Sequence, residues 1–530
     1  MTTHLPTPEE LDGIDPHVYH RRWWILATMC LSLVLIVATV SSVNVAIPKL
    51  SASELHPSAT QVLWIVDAYA LVFAALLLPA GALGDRFGRK GALLIGLVIF
   101  AVASAACAFM HDATALIACR SIMGVGAALI MPSTLSLLQS SFPRRERQKA
   151  IAMWAGFAGA GGAIGPILGG LLVENFWYGS VFFVAAPIAA VAFVASAILA
   201  PSSRDLTPHR LDPMGAVLSA LGFSALLAAI IEGPDRGWTD WFVIVGFVVA
   251  VIGLVGFVMF ELRTEEPMLD MHYFRNPRFA MGSMGITVSF FAMFSMFFVL
   301  TQFLQYVQGY TPLQAGVRGL PFAVTMVALS PRAPHISERI GAKKAVAGGM
   351  VFFTIGLVLF SRVQVDTPYW YVVICLVLCA GGVANVMPSL SSGIVQSVPP
   401  HKAGVGSAVN DTTREVGGAV GIAVVGSVLN SIYRSHAKPT IDTLAAVPDL
   451  PKAASDAARL NLGAALRVLD NAGAHGAPAD AVASMRAALR QAFVDGVHVA
   501  LLVGAGLALV GAVIMYRRLP DSGAHHEPHA

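Results

Sequence analysis

About fourteen separate runs of roughly twenty apolar residues punctuate this chain, each long enough to cross about 30 Å of hydrocarbon as a helix. Inside a bilayer the main chain must satisfy its own hydrogen bonds, so only helices and closed barrels span it. Barrel strands are about ten residues long and alternate in polarity. That alternation is absent, and the chain reads as an all-α integral membrane protein. Only 12% of its residues are charged, about half the share usual in soluble proteins.

The expected spans lie near 23–47, 62–83, 91–110, 113–139, 149–173 and 180–200. Two more lie near 213–231 and 242–260, and the last six near 279–305, 316–334, 344–362, 368–395, 404–430 and 493–516. This divides the chain into an N-terminal tail (1–22), a six-helix half (23–200), a linker with two extra helices (201–278), a second six-helix half (279–516) and a C-terminal tail (517–530). Arg86, Arg89 and Lys90, then Arg144, Arg145, Arg147 and Lys149, then Arg339, Lys343 and Lys344 occupy short loops on one side, with Arg21, Arg22, Arg517 and Arg518. The opposite short loops hold little beyond Lys49, Arg236 and Arg362. The positive-inside rule makes the basic side cytoplasmic, both termini included. No removable leader is evident, so the first span is expected to act as the insertion signal.

A net charge of +3 gives no reason to expect nucleic acid. Cys30, Cys107, Cys119, Cys375 and Cys379 sit inside apolar stretches without metal-ligand spacing and read as packing residues. No metal and no cofactor are expected. A Walker-type phosphate loop is absent as well, which argues against ATP drive. The histidines lie mainly in tails and loops without catalytic spacing, so a membrane-embedded lipid-modifying enzyme is only a remote alternative.

One stretch breaks the short-loop pattern. Residues 431–492 are Ala-rich, with apolar residues at helical spacing in Lys452–Leu469 and Ala479–Phe493 around the Gly- and Pro-containing segment 471–478. The expectation is an outer hairpin of two amphipathic helices, either a gate at the outer mouth or a decorated loop.

The loop after the second span reads Gly84-Asp85-Arg86-Phe87-Gly88-Arg89-Lys90. The loop after the tenth reads Ser337-Glu338-Arg339-Ile340-Gly341-Ala342-Lys343. An acid, an arginine, an apolar residue, a glycine and a nearby cation thus recur at the same place in each six-helix block. Two halves of common ancestry, related by an axis along the membrane normal, resemble the architecture of the major facilitator superfamily. A substrate cavity is then expected between the halves near the midplane.

Three further motifs carry that resemblance. Gly81-Ala82-Leu83-Gly84-Asp85-Arg86-Phe87-Gly88-Arg89-Lys90 is similar to the superfamily's cytoplasmic signature loop. A glycine-permitted turn there sets one carboxylate among several cations. Asp85 is expected to pair with Arg86, Arg89 or a facing helix N-terminus and latch one conformation shut; a plain positive-inside loop would use the same cations. Arg120-Ser121-Ile122-Met123-Gly124-Val125-Gly126 resembles the motif around an intramembrane arginine in proton antiporters, with Met123 at a usually polar position. Gly161-Gly162-Ala163-Ile164-Gly165-Pro166-Ile167-Leu168-Gly169-Gly170 looks like the antiporter motif of exporters, in which Gly161, Gly165 and Gly169 allow close helix approach and Pro166 allows bending.

Trp64–Tyr69, Phe176–Phe182 and Ser407–Gly418 narrow the likeness to the fourteen-helix drug:proton antiporters, such as quaternary-ammonium and multidrug efflux transporters. The resemblance implies a proton-coupled exporter of amphipathic, often cationic compounds, set in the bacterial cytoplasmic membrane, and chain length and the two-half design allow a working monomer. Val40–Pro48 matches that branch's first-helix motif around Asn44, but the acid common five positions earlier is Thr39 here. A dedicated exporter of one native molecule, such as a lipid, a siderophore or a self-made antibiotic, is therefore the alternative.

Few ionisable residues lie well inside the spans: chiefly Asp67, Arg120, Asp411, Arg414 and Glu415. An intramembrane charge is a functional candidate by default, and an acid removed from water holds a proton more readily than one in water. Asp67 is the first candidate proton site, paired with Arg120; a fixed Asp67–Arg120 clamp would place the same residues together. Asp411 and Glu415, on one helix face, are second-half candidates, unless Asp411 and Arg414 merely neutralise each other. Asn44, Tyr69, Phe290, Phe294 and Phe298 are candidate cavity residues. Much of the aromatic ninth span must instead face lipid or neighbouring helices.

Overall fold

A computed structural model describes residues 12, 14–51, 55, 59–202, 212–445, 458–459, 461–474 and 478–520. Among these, 14 helices are long and apolar enough to cross a membrane. The first half holds α1 (Pro16–Ser51), α2 (Ala59–Phe87), α3 (Arg89–Ala108), α4 (Ala113–Ser141), α5 (Arg144–Asn175) and α6 (Ser180–Leu199). The extra pair is α7 (Pro213–Arg236) and α8 (Trp241–Glu261). The second half holds α9 (Pro277–Gln302), the broken α10 (Pro312–Ile340), α11 (Ala342–Phe360), α12 (Tyr369–Gln396) and α13 (Ala403–Ala445), then α14 (Leu462–Ala474) and α15 (Ala479–Arg518).

Helix starts follow local chemistry. The carboxylates of Asp112, Asp212 and Asp240 and the amide of Asn276 accept a main-chain N–H in the first turns of α4, α7, α8 and α9. Thr311 and Gln314 close a capping box at α10. Gly88 and Gly341, at matching places in the two repeated loops, both take positive φ, 105° and 87°. Each makes the sharp turn between a helix pair that no residue with a Cβ enters readily.

The packing repeats as the loops do. In the first half α1 lies on α5, α2 on α4, α3 on α4 and α3 on α6. In the second, α9 lies on α13, α10 on α12, α11 on α12 and α11 on α15. The halves meet where α2 crosses α13 and where α5 crosses α10, two contacts that exchange under the same pseudo-twofold relation. The extra pair packs together, and α7 seats against both α2 and α13.

The outer stretch differs from expectation. α13 continues to Ala445, past Pro439, because Tyr433, Ala437, Ile441 and Leu444 form a buried stripe at helical spacing. Of the first expected hairpin helix, residues 452–457 lie outside the described residues, and α14 runs from Leu462 to Ala474. The second is not separate: Ala479–Phe493 contains no breaker and merges with the last span into α15. At 43 and 40 residues, α13 and α15 are about 60–65 Å long at 1.5 Å per residue, twice the hydrocarbon thickness. Their excess projects on the face opposite the basic loops. The expected terminal-tail segments 1–11 and 521–530 lie outside the described residues.

Candidate functional site

The signature loop joins the halves at the basic face. Asp85 Oδ1 accepts from Arg89 Nε at 2.9 Å and from the Gly404 N–H at 2.8 Å, and Oδ2 accepts from the Val405 N–H at 3.0 Å. Gly404 and Val405 open α13, so the carboxylate sits on the positive end of a helix from the other half. Arg89 also donates to the Pro400 carbonyl just before that helix. Of the three partners expected for Asp85, Arg89 and the facing helix end are present; Arg86 is exposed beside the Phe87 ring. Backbones touch here, since a Cβ on Gly404 would lie 2.6 Å from the Gly81 carbonyl and 2.7 Å from Asp85 Oδ1. Beside this contact Gln139 of α4 donates to the Val395 carbonyl of α12 at 3.3 Å.

The glycine-rich stretch of α5 presents two contact faces. Gly161, Gly165 and Gly169 lie along α1, and a Cβ on Gly165 would strike Ser41 Oγ and the Ala38 carbonyl. Pro166 and Gly170 turn toward the second half, against Gly316 and Leu313 of α10. One helix therefore ties α1 into its own half and forms the seam with the other.

In the centre of the first half Arg120 is fully buried. Its Nε donates to the Ile65 carbonyl at 2.8 Å and one terminal nitrogen to the Val66 carbonyl at 3.3 Å. The other terminal nitrogen meets no acceptor. These contacts bring the guanidinium to α2 just before Asp67, which is half-buried and acts electrostatically on Arg120. Tyr69 is fully buried, its ring 4.6 Å beneath the guanidinium and stacked on Phe73. It is packed into the first half here and presents no open surface. The Asn44 side chain lies outside the described ones.

In the second half Asp411 is fully buried. Its Oδ1 accepts from Asn410 Nδ2 at 3.0 Å and lies 3.7 Å from an Arg414 terminal nitrogen, while Oδ2 has no donor. Arg414 Nε is also unpaired, and its guanidinium lies 4.8 Å from the Trp154 ring and 5.2 Å from that of Phe290. Trp154 belongs to α5, so this cation joins the halves through an aromatic face. Glu415 is half-buried and acts electrostatically on Tyr69 of the first half. Phe290, Phe294 and Phe298, four apart, are all half-buried and line the edge of α9 beside α13, with Gly418 against Phe294 and Gly426 against Phe298. Phe291 and Phe303 are buried as packing.

The Major Facilitator Superfamily profile matches residues 29–422, well over half of the chain. This chain belongs to that superfamily. Among its relatives, the multidrug efflux pump LfrA of Mycolicibacterium smegmatis is 34% identical over 501 residues, covering 93% of this chain and 96% of LfrA. The tetracenomycin C resistance and export protein of Streptomyces glaucescens is 30% identical over 512 residues, covering 96% and 94%. The human organic anion transporter MFSD10 superposes with a TM-score of 0.60 at 14% identity, covering 93% of this chain and 99% of its own, a likeness of fold alone. This major facilitator is a multi-pass membrane transporter of the drug:proton antiporter branch, not an enzyme.

Sequence reading of this major facilitator missed Trp154, Asn410 and Gln139. Each is a polar-capable side chain within an apolar span, and that signal points to burial without naming the partner.

Proposed function

We propose that this major facilitator exports amphipathic, often cationic drugs and toxic compounds, exchanging them for protons by alternating access across a bacterial cytoplasmic membrane. The basic face is then cytoplasmic, and the Asp85 contacts are a latch holding that side closed. The observation that carries the reading is the Asp411–Arg414 pair, buried in one half with its cation on Trp154 of the other. A proton on Asp411 removes the charge that balances Arg414, and a change at that cation reaches the seam between halves. Glu415 acts electrostatically on Tyr69, which lies under Arg120, so the charged strip extends into the first half. The Phe290–Phe294–Phe298 stripe offers a planar cation area and polarizability rather than a fixed shape.

A dedicated exporter of one native molecule is the second reading. Thr39, at the position where the resemblance implies an acid, is buried with its hydroxyl donating to the Leu35 carbonyl at 2.7 Å. It therefore contributes no anion for a dication.

Ethidium efflux from energised cells, with and without a protonophore, tests the first reading alongside Asp67→Asn and Asp411→Asn. Efflux abolished by the protonophore and by at least one substitution is expected. Protonophore-insensitive efflux would sink proton coupling; absence of efflux from well-expressed protein would favour the dedicated exporter.

A further inference from the structure

One buried acid takes no part in the central strip. Glu261, the last residue of α8, is 2% exposed. Its Oε2 accepts from the Leu269 N–H at 3.2 Å, yet its Oε1 is buried and meets no donor. Facing it is Asp212, the N-cap of α7. Asp212 Oδ1 accepts from the Gly215 N–H at 2.7 Å, and its Oδ2 is likewise buried without a donor. The two orphaned oxygens converge on one spot: a Cβ built on Gly215 would strike both. Both oxygens lie within 2.6 Å of that point, so the two carboxylates face each other directly. Lys402 is the cation acting on Glu261, but its Nζ donates to the Pro267 carbonyl at 2.8 Å. The nearby Asp270 is engaged with the His272 N–H and Nδ1. Two buried carboxylates that share no protein donor repel strongly, and a single proton held between them removes the conflict.

We propose that Asp212 and Glu261 form a second proton-binding site, apart from the central strip, that ties the extra helix pair to the latch. Glu261 holds the Leu269 N–H. Pro267, two residues earlier, holds Lys402, which directly precedes α13. The second and third residues of α13 are Gly404 and Val405, the N–H donors to Asp85. Loss of the shared proton leaves two like charges with their facing oxygens buried together. The start of α7 and the end of α8 then separate, Glu261 releases Leu269, and the segment that positions Lys402 loosens. The extra pair thereby carries a pH-dependent hold on the closing contact of the two halves.

Infrared titration of the full-length protein in nanodiscs tests the site without reference to any transported compound. The wild type is expected to show the carbonyl stretch of a protonated carboxylic acid that disappears at alkaline pH. Glu261→Gln and Asp212→Asn should each lose that signal, because the new amide donates to the remaining carboxylate. The double variant should lose no more than either single one, as one shared proton requires. Two separate, additive losses, or an unchanged signal in both single variants, would overturn the proposal. Hydrogen exchange at Leu269 reads the mechanical half: protection should fall with the infrared signal in the wild type and persist in the double variant. Equal loss in both proteins would refute the coupling to the latch.

Discussion

Arg414 owes its position to one buried counter-charge and two aromatic faces, so its removal leaves Asp411 in a dry core with only Asn410 for company. Arg414→Gln is expected to cost about 3–5 kcal/mol of stability, the range for breaking one side of a buried ion pair. Thermal unfolding in detergent reads the loss, and adding Asp411→Asn should restore most of it. An unchanged melting temperature in the single variant would mean that Asp411 is already neutral in this state. At the basic face Asp85 accepts three hydrogen bonds with its single charge. Asp85→Asn removes the charge, and about 1.5–3 kcal/mol of bias toward the closed contact should go with it. A cysteine placed at Gln139 should then react roughly tenfold or more faster with a water-soluble thiol reagent.

At the scale of helices, the antiporter motif supplies its own control. Gly165→Ala drives a Cβ into the main chain of α1 at Ala38, whereas Gly162→Ala meets nothing within 4 Å. The first should cost about 1–3 kcal/mol by overpacking and depress transport, and the second should leave both melting temperature and efflux near wild type. Equal behaviour of the two would place the motif's role outside the α1–α5 contact. The spans themselves were legible because a bilayer imposes one length and one polarity on every crossing. Ala479–Phe493 was readable as helix, but not as part of the last span, since polarity changes midway while helical propensity does not. Pro439 hid the outward extension of α13; only the buried stripe from Tyr433 to Leu444 explains why the helix tolerates it. Sequence placed Asp411 and Glu415 on one face. It had no means of showing that Trp154, over two hundred positions earlier, lies against the cation between them, because that contact depends on how the halves dock.

Across the whole molecule, the halves meet through α2 on α13 and α5 on α10, with Gln139 and Val395 pinning the basic face. A disulfide between cysteines at Gln139 and Val395 is expected to stop efflux, and a reductant to restore it. Efflux that survives complete cross-linking would show that this face never opens. The loops around Gly88 and Gly341 share sequence, turn and position, yet their acids have parted ways. Asp85 grips the opposite half, while the Glu338 carboxylate is 69% exposed beside His335, 3.7 Å away. Under the proposed latch, one copy of the repeated loop fastens the halves and the other leaves its acid in the open. If the Asp85 loop is that latch, the Glu338 loop can change in charge or length without altering the contact between the halves. The two ends of an ancestral symmetry are then free to evolve at different rates.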